Sequence, residues 1–375
     1  MVGEWEEWKG GGLPRGCVPC CPGCAPDMAS AAEERDRKMA WLEKSLALWK
    51  DRREDLRDGP EEQRWGYRDK VCLRAAWLPE TGWALGLRRK DGLVAIPECP
   101  RHSRRVRNMI SWLRHHLPAA ENFPLVYYVQ AGGQGTLVLK SREDPDLSWM
   151  ETAPDPGEAA GLEGLWLHRH PGAGRRVFGR GSWRLLWGVP RSRDAQGLVY
   201  GPRSFQQVRP SLHLEALERA EAFLSPKPGD GVVDLYCGTG GSLRRWQERG
   251  AMALGVEMGG EALECAAVNA PGATLLRGSC AQRLPQMDRW LDPLAPERRL
   301  FYANPPRLGL EPEMGPWMGS RGGFVRGAYL SCSSGTLARD LKVLEREGFA
   351  VVSLHPYNFF PGTPHVEVLA CLHRR

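Results

Sequence analysis

Gly231-Val232-Val233-Asp234-Leu235-Tyr236-Cys237-Gly238-Thr239-Gly240-Gly241 runs from an apolar segment into a glycine loop, and Ser242 to Arg249 continues it with helical spacing. A buried strand that enters a glycine turn and leaves as a helix is the opening unit of a doubly wound α/β sheet. The glycines, Gly238 and Gly240 foremost, let backbone amides approach a ligand at the carboxyl end of the strand. The same signal continues on both sides. Leu212 to Leu224 reads as an amphipathic helix, Ala253 to Glu257 as a strand, Gly260 to Asn269 as a helix, Leu300 to Ala303 as a strand and Val366 to Leu372 as a last strand. Strands alternating with helices imply parallel strands joined by crossovers, so an α/β domain is expected over 201–375.

Glu257 ends the next apolar strand 23 residues after Asp234, where a doubly wound fold places the acid that binds ribose hydroxyls. A nucleoside ligand follows. A dinucleotide loop would read GxGxxG, but Leu243 occupies the third glycine position, which leaves a pyrophosphate poorly supported. S-adenosylmethionine carries no phosphate, and Asp234, inside the strand, would sit beside its sulfonium and amino groups. The loop therefore points to S-adenosylmethionine ahead of NAD, with a glycine turn that binds nothing as the plain structural alternative.

Upstream the pattern changes. Val71 to Leu78, Trp83 to Leu87, Leu93 to Ile96, Leu125 to Gln130 and Thr136 to Leu139 are short runs rich in Val, Leu, Trp and Tyr, broken by Gly, Pro and Asp. They read as a small, mostly antiparallel β domain over 61–200. Within it, Arg101 to His116 is a basic helix whose face suits phosphates or is simply solvated, and the acidic Glu143 to Glu163 reads as an exposed loop. Residues 1–60 comprise a tail, a cysteine cluster and a long helix. Asp27 or Ser30 can cap that helix, Met39, Leu42, Leu46 and Trp49 form its buried stripe, and it ends near Asp58-Gly59-Pro60.

The 375 residues carry a formal charge of +6, with an excess of arginine whose planar fork suits phosphate and stacks on bases. This hints at nucleic acid. No run of 18 or more apolar residues occurs, so no membrane partner is expected, and the first residues lack the basic and apolar regions of a secretory signal. A cytoplasmic protein is expected, with no obligate protein partner evident and no internal repeat. Eleven cysteines, an odd number spread along a long chain, argue against a disulfide framework and for thiols, metal ligands or a catalytic cysteine.

Three further segments carry chemistry. Tyr329-Leu330-Ser331-Cys332-Ser333-Ser334-Gly335-Thr336-Leu337 places a thiol just after an apolar strand, and His365-Val366-Glu367 supplies a carboxylate beside another. A single cysteine after a strand is more often a small buried residue than a nucleophile. Cys237 competes for that role, but within the glycine loop small size suffices to explain it. Asn304-Pro305-Pro306-Arg307 follows the strand Leu300 to Ala303 and fixes a turn that points an amide at the cofactor side of the sheet. In adenine-N6 methyltransferases an aromatic residue follows the prolines; here Arg307 does.

In combination and order these segments resemble the RNA uracil-C5 methyltransferases, the enzymes of tRNA and 23S rRNA. Ser204-Phe205-Gln206-Gln207-Val208 is similar to the family's SFxQxN segment, and Tyr67-Arg68-Asp69-Lys70 and Ile96-Pro97-Glu98-Cys99-Pro100 also look like family signatures. The resemblance runs from about Cys17 to the C-terminus. It implies a Rossmann-like class I methyltransferase domain, preceded by a cysteine-cluster region and a β-rich RNA-contacting domain. It implies S-adenosylmethionine contacts from Gln207, Tyr236, Gly238, Gly240, Glu257 and Asn304. Cys332 would be the nucleophile that adds to C6 of uracil, Glu367 the base and Arg307 a substrate-orienting group. Asn304 in place of aspartate and Gly241 in place of asparagine are similar to the rRNA branch that lacks a TRAM domain, and no TRAM-sized segment precedes Cys17, so rRNA is expected ahead of tRNA. Cys17, Cys21, Cys24 and Cys99 would hold a [4Fe-4S] cluster, with Cys20 an alternative to Cys21, and structural zinc or free thiols as other readings. Tyr357, Phe359 and Phe360 are candidates to line the entry of an unstacked uridine, or core residues. Arg209 stands where the family has asparagine, Ser333-Ser334 replaces Asn-Pro or Asn-Ala, and Pro361-Gly362-Thr363-Pro364 replaces Pro-His-Thr. Adenine-N6 methylation, and a non-catalytic RNA-binding or ribosome-assembly protein on the same scaffold, are the competing functions.

Overall fold

The computed structural model describes residues 13–24, 30–90 and 92–375. Its packing divides the chain into two units, Met1–Ala29 with Pro60–Ser192 and Ser30–Gly59 with Arg193–Arg375. The first expected segment, 1–60, is thus split. Its cysteine stretch goes with the β-rich unit and its helix goes with the C-terminal one. The boundary expected at 200 falls at Ser192.

In the first unit, β1 (Lys70–Leu78), β2 (Gly82–Arg89), β3 (Gly92–Ala95), β4 (Leu125–Ala131), β5 (Gln134–Leu139), β6 (Gly164–Arg169) and β7 (Ser182–Gly188) form one sheet in the order β3-β2-β1-β4-β5-β6-β7. Neighbours are antiparallel except the β5–β6 pair. One face is covered by α2 (Arg104–His116), whose Val106, Met109, Ile110 and Leu113 recur at three-to-four-residue spacing and are fully buried against Leu73, Leu85 and Leu137. Each such side chain contributes on the order of 1.5–3 kcal/mol by leaving water. Glu143 to Glu163, read as an exposed loop, instead holds the short helices α3 (Trp149–Thr152) and α4 (Pro156–Ala160), and Ala160 and Leu162 enter the same core. Asp155 caps α4 by accepting from the Gly157 and Glu158 amides.

The C-terminal unit begins with α1 (Ala31–Ser45). Ser30 Oγ accepts from the Glu33 amide at 3.1 Å while Glu33 accepts from the Ser30 amide at 3.2 Å, a capping box that fixes the start. Asp27, the other expected cap, lies outside the described residues. After the two-residue strands β8 (Ser192–Arg193) and β9 (Val199–Tyr200) come α5 (Pro210–Leu224), β10 (Gly231–Leu235), α6 (Gly241–Glu248), β11 (Met252–Glu257), α7 (Gly260–Asn269), β12 (Thr274–Arg277), α8 (Cys280–Leu291), β13 (Arg299–Ala303), α9 (Met314–Trp317), β14 (Arg326–Ser331), α10 (Ser334–Arg346), β15 (Phe349–Tyr357) and β16 (Glu367–Arg374). The sheet order is β12-β11-β10-β13-β14-β16-β15, parallel as far as β14, with β16 antiparallel to both of its neighbours. Both faces are apolar, as crossover helices require. Val233, Leu254 and Phe301 face one layer, and Val232, Leu300 and Tyr302 the other. Strand order reverses between β10 and β13, which makes the carboxyl ends of β10, β11 and β13 the natural crevice for a ligand.

Candidate active site

Leu235 pairs with both Val256 and Ala303, so the next residues, Tyr236, Glu257 and Asn304, emerge together at that crevice. Tyr236 turns the chain out of the sheet with φ +63°, a left-handed conformation rarely held by an aromatic residue. Glu257 holds the loop that follows: its carboxylate accepts from the Gly238 amide at 3.2 Å and from the Gly259 amide at 2.8 Å. Gly240 adopts φ +82°, and a Cβ there would lie 2.9 Å from that of Ala266, so glycine is needed for α7 to pack on the loop. Gly238, at φ +56°, faces open space, with nothing within 4 Å of where its Cβ would stand. Gln207 Oε1 is buried with no hydrogen-bond partner. An open backbone face and a carboxylate at the strand end fit a nucleoside ligand.

One correction belongs here. Asp234, expected beside a sulfonium, is sealed under α6, where its Oδ2 accepts from the Trp246 indole at 2.8 Å; burial pushes its carboxyl up to about 7. It fastens strand to helix. Cys237 is buried, its sulfur 2.7 Å from where a Gly255 Cβ would stand, and burial drives its thiol far above the ordinary range, so it is no rival nucleophile. Sequence reasoning missed Glu311. Its carboxylate accepts from the Cys280 and Ala281 amides at the start of α8, and its own amide donates to Tyr236 Oη at 3.3 Å. A capping acid after a proline pair left no periodic signal to find.

The second group forms at the β14–β16 pair. Ser331 lies opposite Val368, and continuing this antiparallel register by one residue sets Cys332 opposite Glu367. Cys332 is half-buried. Burial and then the Glu367 charge raise its thiol, while Arg307 draws it down by charge and by hydrogen bonding. Glu367 is 4% exposed; burial pushes its carboxyl up to about 8, with Arg307 opposing. One guanidinium therefore acts on both groups. Its position is itself supported. Thr336 Oγ1, in the first turn of α10, donates to the Arg307 carbonyl at 3.1 Å, and buried Asp340 accepts from the Leu310 amide and the Tyr329 hydroxyl. Arg307 Nη2 also lies 3.1 Å from His365 Nε2, a pairing that the sequence signals only through the adjacency of His365 to Glu367. Tyr357 and Phe359 are fully buried core residues, so they cannot line an entry; Phe360 is half-buried against His365, and Phe205 is 60% exposed.

In the β-rich unit, Gly16 at φ +80° lies directly on the Glu98 backbone, which brings the 15–24 segment against the Cys99 turn. Cys17, Cys24 and Cys99 act on one another electrostatically, as do Cys21, Cys24 and Cys17, and burial raises the Cys17, Cys21 and Cys99 thiols. Cys20 is exposed, whereas Cys21 is half-buried and accepts from the Gly23 amide. Among the described residues no three His, Cys, Asp or Glu side chains are arranged to hold a metal ion, so the thiols share a neighbourhood without forming a ligand set. The basic helix α2 is also partly committed to its own unit. Arg101, just before it, is buried over Trp65 and donates to the Arg64 carbonyl, Arg105 pairs with Asp69, and Arg114 donates to the Trp83 carbonyl.

No family model matches the chain. It is 27% identical to a protein of Thiobacillus denitrificans named 23S rRNA (uracil(1939)-C(5))-methyltransferase RlmD, over 94% of this chain and 83% of that one. It is 28% identical to the protein of that name from Aromatoleum aromaticum, with the same coverage of each. Among solved structures it is similar to the Pyrococcus abyssi tRNA (uracil-54, C5)-methyltransferase in complex with S-adenosyl-L-homocysteine, with a TM-score of 0.68 and 22% identity over 94% of this chain and 86% of that one.

Proposed function

We propose that the chain is an RNA uracil-C5 methyltransferase, as its similarity to such enzymes over most of its length supports, and that it transfers a methyl group from S-adenosylmethionine to C5 of a uridine in RNA, ribosomal rather than transfer RNA. The observation that carries this reading is the thiol of Cys332 facing the carboxylate of Glu367 across one strand pair, with Arg307 acting on both.

C5 of uracil is a weak nucleophile. Cys332, as thiolate, adds to C6 and pushes the ring electrons toward C5, which then takes the methyl group from the sulfonium. Glu367 removes the C5 proton, the C5–C6 double bond re-forms and the thiolate leaves. A carboxyl poised at about 8 is a far stronger base than an ordinary one, which suits this step. Arg307 favours the thiolate and lies where a base carbonyl or phosphate can reach it. Gln207, Tyr236, Gly238, Gly240, Glu257 and Asn304 hold the methyl donor at the strand ends. The target uridine leaves its stack to reach the thiol, with Phe360 and exposed Phe205 as the aromatic side chains available to it.

Cys17, Cys21, Cys24 and Cys99 are the residues that would hold a [4Fe-4S] cluster, a role their all-thiol chemistry suits, although as placed they do not close a ligand set. Anaerobic purification with iron and sulfide assays tests it; an iron-free protein that retains zinc overturns it. No helix among the described residues is long and apolar enough to cross a membrane, and a ribosomal RNA substrate supports a cytoplasmic location.

The test is incubation with ribosomal and transfer RNA and labelled S-adenosylmethionine, followed by nucleoside mass spectrometry. 5-Methyluridine is expected. N6-methyladenosine, or no product, would transfer the reading to adenine methylation or to a non-catalytic RNA-binding protein. Cys332→Ala should abolish both turnover and the covalent complex with 5-fluorouridine RNA, and an active Cys332→Ala protein excludes the thiol mechanism.

A further inference from the structure

Between Glu163 and Asp194 the chain runs for thirty residues without an acid or a lysine, yet it carries seven arginines. The structure turns this composition into a surface. The segment from Pro171 to Gly181 connects β6 to the edge strand β7 and lies on the face of the sheet opposite α2. Ala173, Val177 and Phe178 pack on Val129 and Val138. Hydrogen bonds fasten the connection at several points. Tyr127 Oη donates to the Gly174 carbonyl at 3.2 Å, and His170 Nε2 donates to the Val177 carbonyl at 3.1 Å. His168 Nδ1 donates to the Ser182 carbonyl, while its Nε2 accepts from the Gly179 amide. Trp183 stacks on the His168 ring with centroids 4.2 Å apart.

The apolar and imidazole groups of this connection face its own unit, and the arginines do not. Arg175, Arg176, Arg180 and Arg184 are exposed, and among the described residues none of them has an ion-pair partner. By contrast Arg169, at the end of β6, pairs with Asp144. Three of these guanidinium groups stand on one short connection and the fourth, Arg184, lies opposite Leu167 on the other face of edge strand β7; none of them adds an ion pair to the fold. An ordered loop that keeps them outward is built for a polyanion. That every basic side chain except the two histidines is arginine points to phosphate, which the planar fork grips with two parallel hydrogen bonds. We propose that the Pro171–Gly181 connection and β7 form an RNA-docking surface that grips the sugar–phosphate backbone of the substrate; this rests on the proposed function for the class of substrate. It also replaces α2 as the principal phosphate surface of this unit, since Arg101, Arg105 and Arg114 are already engaged.

The test is a full-length variant carrying R175A, R176A, R180A and R184A, compared with the unaltered protein and with the four Arg→Lys changes, in binding to an rRNA fragment across a salt series. Every phosphate that is no longer neutralised should flatten the slope of log K against log salt by about 0.7–0.9, so the alanine variant should give up roughly 3 units of slope. Its fall in kcat/KM for RNA should lie in KM, while S-adenosylmethionine binding and the unfolding midpoint stay at the unaltered values. The lysine variant should keep the slope and bind more weakly. A folded alanine variant with unchanged slope and affinity overturns the proposal while leaving the methyltransferase reading intact. If the unaltered protein methylates no RNA yet the slope still flattens, the docking surface stands and the proposed function falls. Binding to anionic vesicles in preference to RNA overturns the surface assignment.

Discussion

Glu367 is nearly sealed from water, and the free energy that holds its carboxyl protonated up to about pH 8 is withdrawn from the native state. An unfolded glutamate ionises near 4.3, so the native state is unaffected while both forms carry the proton, and the destabilisation grows as pH rises between the two values. Glu367→Gln keeps the shape and removes the titration. It should therefore raise the unfolding midpoint more near pH 8 than near pH 5, while lowering turnover on the order of 10²–10⁴-fold. Because Glu367 acts after the methyl group has moved, this variant should also accumulate an RNA adduct that survives denaturing electrophoresis. Equal stabilisation at both pH values would show that the residue is not the buried acid described above. Arg307 lowers both partners, so Arg307→Ala should move the rising limb of the pH–rate profile upward and Arg307→Lys should restore part of the shift; an unmoved limb would remove Arg307 from the site's electrostatics. The roles of Cys332 and Glu367 could be read from their motifs. Their facing positions follow from a register between strands 35 residues apart, which no local pattern encodes.

The first helix shows where reading by element succeeds and where it stops. Leu42, Leu46 and Trp49 are buried as their spacing requires, although the helix expected to run to Asp58 ends at Ser45 and Trp49 sits on a separate 3₁₀ turn, Ala47–Arg52; the buried face of the helix also takes in Glu34 and Lys38, both almost wholly buried. A Glu and a Lys four residues apart look like an ordinary solvated pair. What buries them lies some 320 residues further on: Lys38 Nζ donates to Glu34 and to Asn358 Oδ1, each at 2.5 Å, and the Gly362 amide donates to Glu34 at 2.8 Å. Arg209, the departure from the family's asparagine, joins the same network by pairing with Asp58 and donating to the Asn358 carbonyl. The Pro361-Gly362-Thr363-Pro364 turn, which leads to His365 and Glu367, is thus held by α1. Lys38→Met should leave Glu34 as an uncompensated buried charge and cost about 3–5 kcal/mol, whereas Glu34→Leu with Lys38→Met should cost far less. Urea unfolding of the two singles and the double measures the coupling. Additive effects would mean that the pair is solvated after all. The alternation of strand and helix after Gly231 was legible because each crossover repeats one period change, while β6 and β7 were not, their Trp, His and Arg content masking the two-residue alternation.

At the scale of the molecule, two cores divide the work differently from the sequence boundaries. The cysteine stretch belongs with Pro60–Ser192, and the helix that directly follows it belongs with Arg193–Arg375, so the chain enters the catalytic unit, leaves it and returns. Composition is blind to such a path, because Ser30–Gly59 buries its face against strands far along the chain. The consequence is separability. Cys21 and Cys99 pack against the core of the β-rich unit, whereas the crevice proposed for the methyl donor lies at the ends of β10, β11 and β13. Cys17→Ser with Cys24→Ser should therefore remove any bound iron and lower the unfolding midpoint of the β-rich unit, since thiolate–metal bonds formed only in the folded state add directly to its stability. S-adenosylmethionine affinity, read by calorimetry on the same preparation, should change by less than about twofold, as expected for sites with no shared partners. A loss of cofactor binding in step with the loss of iron would show instead that the two cores are energetically one.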